Sequence, residues 1–274
     1  MGNIAELQGI GISMRENRVI HLEKNVEIKD PIMIVGLPGV GHVGKLVAEH
    51  LVEELESTKI IEIYSPHFPP QVLVDENSEI RIVNNEIYVC KAGGQDLLVL
   101  IGDHQSNTTN GHYELCGLYL DLAEEMGTKM VYTLGGFPTG QLTHIDEVLG
   151  AVNKPELKSR LEEIGVQFKP NEPGGGIVGA SGLMLGLCKL RNIDAVCLMG
   201  MTSGYVVDPK SAQSLLKIVC KLFNVEIDAG PLEERAKEME KIVARLKEYE
   251  QQQQQQTQMI PEIGTGDEDL RYIG

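Results

Sequence analysis

Pro31-Ile-Met-Ile-Val-Gly-Leu-Pro-Gly-Val-Gly-His-Val-Gly-Lys45 decides how the rest of the chain is read. Ile32, Met33, Ile34 and Val35 form a short apolar run, the pattern of a strand buried on both faces. Gly36, Pro38, Gly39 and Gly41 supply a turn. Val43, Leu46, Val47, His50, Leu51 and Leu55 then keep helical spacing. The stretch is a strand, a glycine loop and a helix.

Two phosphate-binding patterns overlap in the loop. Gly39-x-Gly41-x-x-Gly44 fits the dinucleotide fingerprint, whose glycines let backbone approach a pyrophosphate at a helix N-terminus. Gly39-x-x-x-x-Gly44-Lys45 fits most of a P-loop, but Leu46 occupies the position of the Mg²⁺-binding Ser or Thr, and a leucine cannot ligate a hard cation. The other reading is a tight strand-to-helix turn that packs the helix on the sheet.

Working outward, residues 1–30 alternate apolar and polar in places (Val19, His21; Val26, Ile28), as expected of extended segments at a sheet edge or on another subunit. Lys59–Ile63 reads as a second strand, parallel to the first because a helix separates them, with Glu62 where a dinucleotide fold holds its ribose acid. Ser65–Pro70 is a rigid extended loop. Gln71–Val74, Ile80–Val83 and Glu86–Cys90 read as short antiparallel strands, the last two joined by a turn at Asn84-Asn85. Asp96–Ile101 is a buried strand ending in Gly102-Asp103-His104, where an acid suits either a Walker B role or any polar carboxyl edge of a sheet.

A helix to Met126 follows, then a strand at Lys129–Leu134 and a second Gly/Pro loop, Gly135–Gly140. Pro155–Ile164 is helical, with Gly165 ending it. Gly174–Gly182 is the most glycine-dense stretch and leads into Leu183–Leu190, read as a buried helix. Its glycines permit close element approach or line an anion nest. Ala195–Met199 is a core strand, and Asp208-Pro209 starts a helix as N-cap and N1. This alternation gives a three-layer α/β fold on a mainly parallel sheet. Its loops at 36–44, 102–111, 135–140 and 200–204 gather on one edge.

From Pro231 the composition changes. Leu232, Met239 and Leu246 recur every seven residues, with Ile242 and Tyr249 between them and Arg235 breaking the pattern. This charged amphipathic helix either lies on its own domain or packs on a partner helix. Gln251–Gln256 is low-complexity, and residues 257–274 form a flexible acidic tail with apolar and aromatic residues at its end. The divisions are a core at 1–229, the helix at 230–250, and linker plus tail at 251–274.

The whole-chain figures exclude several functions. A formal net charge of −16 argues against a nucleic-acid binder, and 4% aromatic residues with no Trp leave few stacking platforms. No membrane span or basic-then-apolar leader is seen, so a cytoplasmic protein is expected. Five cysteines without C-x-x-C spacing read as reduced, buried thiols, with no disulfide set or zinc site. His42, His67, His104, His112 and His144 lack metal-ligand spacing, and Asp103-His104 is the only pair that suggests acid–base work. No G-x-S-x-G elbow occurs.

Four stretches in order then carry a resemblance: Gly36–Gly44, Gly135-Gly-Phe-Pro-Thr139, Gly174-Gly-Gly-Ile-Val-Gly-Ala-Ser-Gly-Leu183 and Gly204-Tyr-Val-Val-Asp-Pro-Lys210. Together they resemble successive signatures of the archaeal proteasome-assembly-chaperone family, over roughly residues 30–225. The resemblance implies a phosphorylase/hydrolase-like α/β fold and a cytoplasmic homo-oligomer, a tetramer among the options. It further implies ATP-independent help in assembling the proteasome α-ring, without cofactor or catalytic residues. Family tails carry a hydrophobic–Tyr–any-residue ending that enters pockets between α-subunits. Here Tyr272 stands third from the end and Arg271 precedes it, so Leu270, Tyr272, Ile273 and the Gly274 carboxylate are the expected contacts.

The alternative is a nucleotide- or phosphate-binding enzyme, ATP-grasp-like, using the Gly36–Lys45 loop. Its ligand residues would be Gly39, Gly41, Gly44 and Lys45, with Asp103 and His104 nearby. A third reading is a general holdase that grips unfolded proteins.

Overall fold

The run Ile32–Val35 becomes the middle of a sheet because it alternates between two cores. Ile34 faces one hydrophobic cluster, and Met33 and Val35 face the other, all at most 1% exposed. The computed structural model describes residues 15–22, 26–172 and 174–239, with 241 and 244. Along it run β1 (Arg18–His21), β2 (Ile32–Gly36), α1 (Val43–Glu54), β3 (Ser57–Tyr64), β4 (Val72–Val74), β5 (Ile80–Ile82), β6 (Asn85–Ala92) and β7 (Gln95–Gly102). Then come α2 (Thr109–Glu125), β8 (Met130–Pro138), β9 (Val148–Val152), α3 (Lys158–Glu163), α4 (Ala180–Leu190), β10 (Asp194–Thr202) and α5 (Pro209–Phe223), and residues 230–239 are again helical.

Eight strands form one sheet in the order β1-β3-β6-β7-β2-β8-β10-β9. Its centre, β7-β2-β8-β10, is parallel throughout, and antiparallel strands extend it on both flanks. α1 and α5 cover one face and α2 and α4 the other, giving the three layers expected. Burying each Leu, Ile or Val of these layers contributes roughly 1.5–3 kcal/mol. Asp208 caps α5 as its position implies, accepting from the Ser211 N–H at 2.9 Å, with Pro209 at N1.

Several expectations are corrected. β3 runs in the same direction as β2, but β6 and β7 lie between them, because the 85–102 hairpin fills the neighbouring positions. Glu62 therefore sits three strands from β2, where Lys59 Nζ holds it at 2.7 Å. Asn84-Asn85 is not a hairpin turn. β5 pairs with β4 in a separate two-stranded sheet through a turn at Asp75–Glu79, whose Asp75 carboxylate accepts from the Asn77 and Glu79 N–H groups. Asn85 opens β6 instead, fully buried, with its amide bonded to the Tyr119 hydroxyl at 2.7 Å. The hairpin turn lies at Gly93-Gly94, both at positive φ.

Gly135–Pro138 is strand rather than loop, paired with Met199–Thr202. β9 escaped detection because Gly150 interrupts its apolar pattern. A side chain there would collide with the Phe168 ring, 2.6 Å from an added Cβ. At the N-terminal side, β1 joins the sheet edge, while Val26 and Ile28 pack on the core without forming a strand.

The helix expected to be buried, α4, is half-exposed. Only Ala180, Met184 and Cys188 are covered, and Leu190 is 84% exposed. In the C-terminal segment, Leu232 and Ala236 are buried, Leu232 within the α1/α5 core. Ile242, Leu246 and Tyr249 of the heptad seam lie outside the described residues, as does the tail. All five cysteines are free, and burial pushes the Cys90, Cys116 and Cys188 thiols up to about 12.

Candidate functional site

The carboxyl ends of β2, β7, β8 and β10 bring the glycine-rich stretches together, and the glycines meet backbone or short side chains at close range. A Cβ on Gly44 would lie 2.1 Å from the Leu134 carbonyl of β8, and one on Gly36 would lie 2.1 Å from Ala48 Cβ. α1 therefore rides directly on the sheet. A Cβ on Gly136 would sit 2.3 Å from the Val40 carbonyl. Gly41 adopts φ 62°, which glycine tolerates best, with Thr202 Oγ1 2.7 Å from where its Cβ would be. Its carbonyl accepts from the Asp208 N–H at 2.8 Å. Gly39 is uncrowded, with Gln105 Nε2 the nearest atom, 3.8 Å from an added Cβ.

Gln105 ties this region together and gave no signal in the sequence. Its amide donates to the Pro38 carbonyl at 2.7 Å and accepts from the Ala180 N–H at 2.8 Å, joining the first glycine loop to the start of α4. Gly179, at φ 86°, leaves room for it. Thr139 donates to the Thr202 carbonyl, and Thr133 to the Ser181 carbonyl.

Lys45 and Asp103 meet beside the end of β7. Lys45 Nζ donates to the Gly102 carbonyl at 2.9 Å and pairs with Glu49 at 2.8 Å. Asp103 is held by Arg81 rather than by its neighbour His104. The guanidinium donates to both carboxylate oxygens at 2.6 and 2.8 Å, and the Asn84 N–H adds a third bond at 3.0 Å. Burial alone would raise this carboxyl. The Arg81 bonds, the Asn84 amide and the Lys45 charge outweigh it and hold it below the usual carboxylate range. His104 shares a hydrogen bond with the Gln71 side chain at 3.0 Å.

The remaining histidines are dispersed. His67 bonds Glu114 and the Thr108 hydroxyl near the start of α2, and His42 sits exposed at φ 52°. His144 lines a cavity of about 320 Å³ with Met201, Asp208, Lys210, Ala236 and Met239. Its Nδ1 is buried without a partner among the described residues. Burial lowers its pKa, against the opposing pull of Asp208. Among the described residues, no three His, Cys, Asp or Glu side chains are placed to hold a metal ion. No helix there is long and apolar enough to cross a membrane. Leu270, Tyr272, Ile273 and Gly274 lie outside the described residues.

The signatures that converge in space also identify the chain. The sequence profile described as the PAC2 family matches residues 33–247, from β2 through the C-terminal helical segment. The chain belongs to the PAC2 family. Among PAC2 relatives, an uncharacterized protein of Methanocaldococcus jannaschii is 41% identical over 92% of this chain and 95% of its own length. The crystal structure of Pyrococcus furiosus PbaB, described as an archaeal proteasome activator, is 40% identical, with a TM-score of 0.80 over 85% of this chain and 100% of that one. Pyrococcus furiosus PbaA, described as an archaeal homolog of proteasome-assembly chaperone, shares the fold at 22% identity. Its TM-score is 0.70, over 89% of this chain and 97% of its own.

Gly44→Ala forces α1 off β8 and should cost about 1–3 kcal/mol, lowering Tm in calorimetry by about 2–6 °C. Gly186→Ala, made in the open space beside α4, should leave Tm unchanged or slightly raised. In Asp103→Asn, hydrogen exchange at 80–84 should quicken. In the wild type the protection factor at 80–84, taken relative to the slower intrinsic exchange in acid, should likewise fall on acidification, because a lowered carboxyl stabilises fully above its unfolded value of about 3.9 and loses that contribution as pH falls through the folded value.

Proposed function

We propose that the chain acts on the proteasome, as an ATP-independent chaperone that assists assembly of the α-ring and core particle. Membership of the PAC2 family, with 40% identity to a protein described as an archaeal proteasome activator, carries this reading. The α-subunits or their assembly intermediates are the partners. Leu270, Tyr272, Ile273 and the Gly274 carboxylate of the tail make the contact, and unfolded proteins are secondary clients. The chain is not an enzyme in this reading. Its glycine loop is architecture, which the close contacts of Gly36, Gly41 and Gly44 with neighbouring protein atoms support. The body at 1–229 supports the helix at 230–250 and the tail at 251–274.

Self-association completes the proposal. The 180–188 part of α4 carries no charge on a chain of net −16, and its Leu183, Leu185 and Leu187 side chains are only partly covered. A neutral helix face lets two acidic copies meet without bringing like charges together. An oligomer also presents several tails at once, so individually weak contacts add through effective concentration.

The description of PbaB favours a second reading, in which the chain acts on the finished core particle. One assay separates the two. Adding the chain to separate α-subunits should speed ring formation, and deleting 257–274 should remove that gain. Adding it to preassembled core particle should leave peptide hydrolysis unchanged. Stimulated hydrolysis without faster assembly would replace the chaperone by an activator. ATP binding lost in Lys45→Ala would replace both by the nucleotide enzyme.

A further inference from the structure

Four exposed aliphatic side chains share one face of the β4–β5 hairpin. Val72 is 48% exposed, Val74 63%, Ile80 71% and Ile82 53%. The register pairs Val72 with Ile82 and Val74 with Ile80, so all four stand on the same side. A solvated hairpin face would ordinarily alternate to polar residues here. The opposite side holds the anchor: Leu73 packs on the core, and Arg81 makes its two-pronged contact with Asp103. A two-stranded hairpin alone is marginal in water. This one is fixed to the body with its apolar face outward.

Charge indicates what covers it. The hairpin tip is Asp75-Glu76-Asn77-Ser78-Glu79, all exposed, and residues 71–80 contain no Lys or Arg. Arg81, the nearest cation in the sequence, is committed to Asp103 on the other side. Two copies of this chain meeting here would bring together acidic tips on two bodies of net −16. A surface that is apolar at its centre and edged with lysine or arginine complements both the aliphatic tile and the acids beside it.

We infer that the outer face of the β4–β5 hairpin is a second docking element, separate from the tail, that seats on an apolar, basic-rimmed surface of a proteasome α-subunit. The identity of that partner rests on the function proposed above. The hairpin and the tail contribute as separate contacts, so losses at the two should multiply in affinity.

The test is binding of purified α-subunits to the immobilised full chain, with V74S/I80S, E76K/E79K and a 1–256 truncation. Because the substituted residues are exposed, Tm and particle mass should stay at wild-type values. V74S/I80S should weaken binding about tenfold or more, both in the full chain and in the truncation. E76K/E79K should weaken it at low salt and flatten its salt dependence. Wild-type binding that neither variant changes would overturn the hairpin inference and leave the function standing. A wild type that binds no α-subunit would overturn both. A changed particle mass in V74S/I80S would make the hairpin a contact between copies and overturn the inference as well.

Discussion

The fold depends on a contact that only glycine allows: Gly44 of α1 lying on the Leu134 carbonyl of β8, with Gly36 against Ala48 from the neighbouring strand. A helix normally stands about 10 Å from the sheet it covers, held off by its side chains. Removing the side chain at Gly44 brings α1 down onto the strands. The loop between β2 and α1 then lies low enough to touch β8 through Gly136 and β10 through Thr202. Gln105 and the start of α4 close over it from the other layer. Four stretches far apart in sequence thus become a single packed cluster at one sheet edge.

This arrangement explains why the glycine pattern resembles a phosphate loop. A backbone that must approach another backbone and a backbone that must approach a pyrophosphate both require the absence of Cβ. At Gly36, Gly41 and Gly44 the approaching group is protein, whereas Gly39 keeps open space. Lys45 is engaged by Gly102 and Glu49, and Asp103 by Arg81.

The strand, loop and helix at 31–55 were legible because apolar runs and helical spacing report burial directly, and Asp208-Pro209 marked α5 by its capping chemistry. Asn84-Asn85 misled because asparagine suits a turn and a buried hydrogen bond equally well, and only the Tyr119 hydroxyl across the core decides between them. β9 was hidden by Gly150, whose role is to admit a distant phenylalanine ring. Leu183–Leu190 looked buried because hydrophobicity reports a need for cover without saying whether the same chain provides it. Gln105 and Arg81 act through long-range contacts that no local pattern records. The order of the four signatures carried the family, while their meeting in space needed the fold.

In the proposed reading, docking falls to the β4–β5 hairpin and the C-terminal tail, and the glycine cluster is the frame. Hydrogen–deuterium exchange on the full chain, with and without a proteasome α-subunit, tests this most directly. New protection is expected across 72–82 and in the C-terminal tail, with residues 36–45 unchanged. Protection confined to 36–45 and 103–105, with the hairpin and tail exchanging as in the free chain, would contradict it and make the glycine loop the working site.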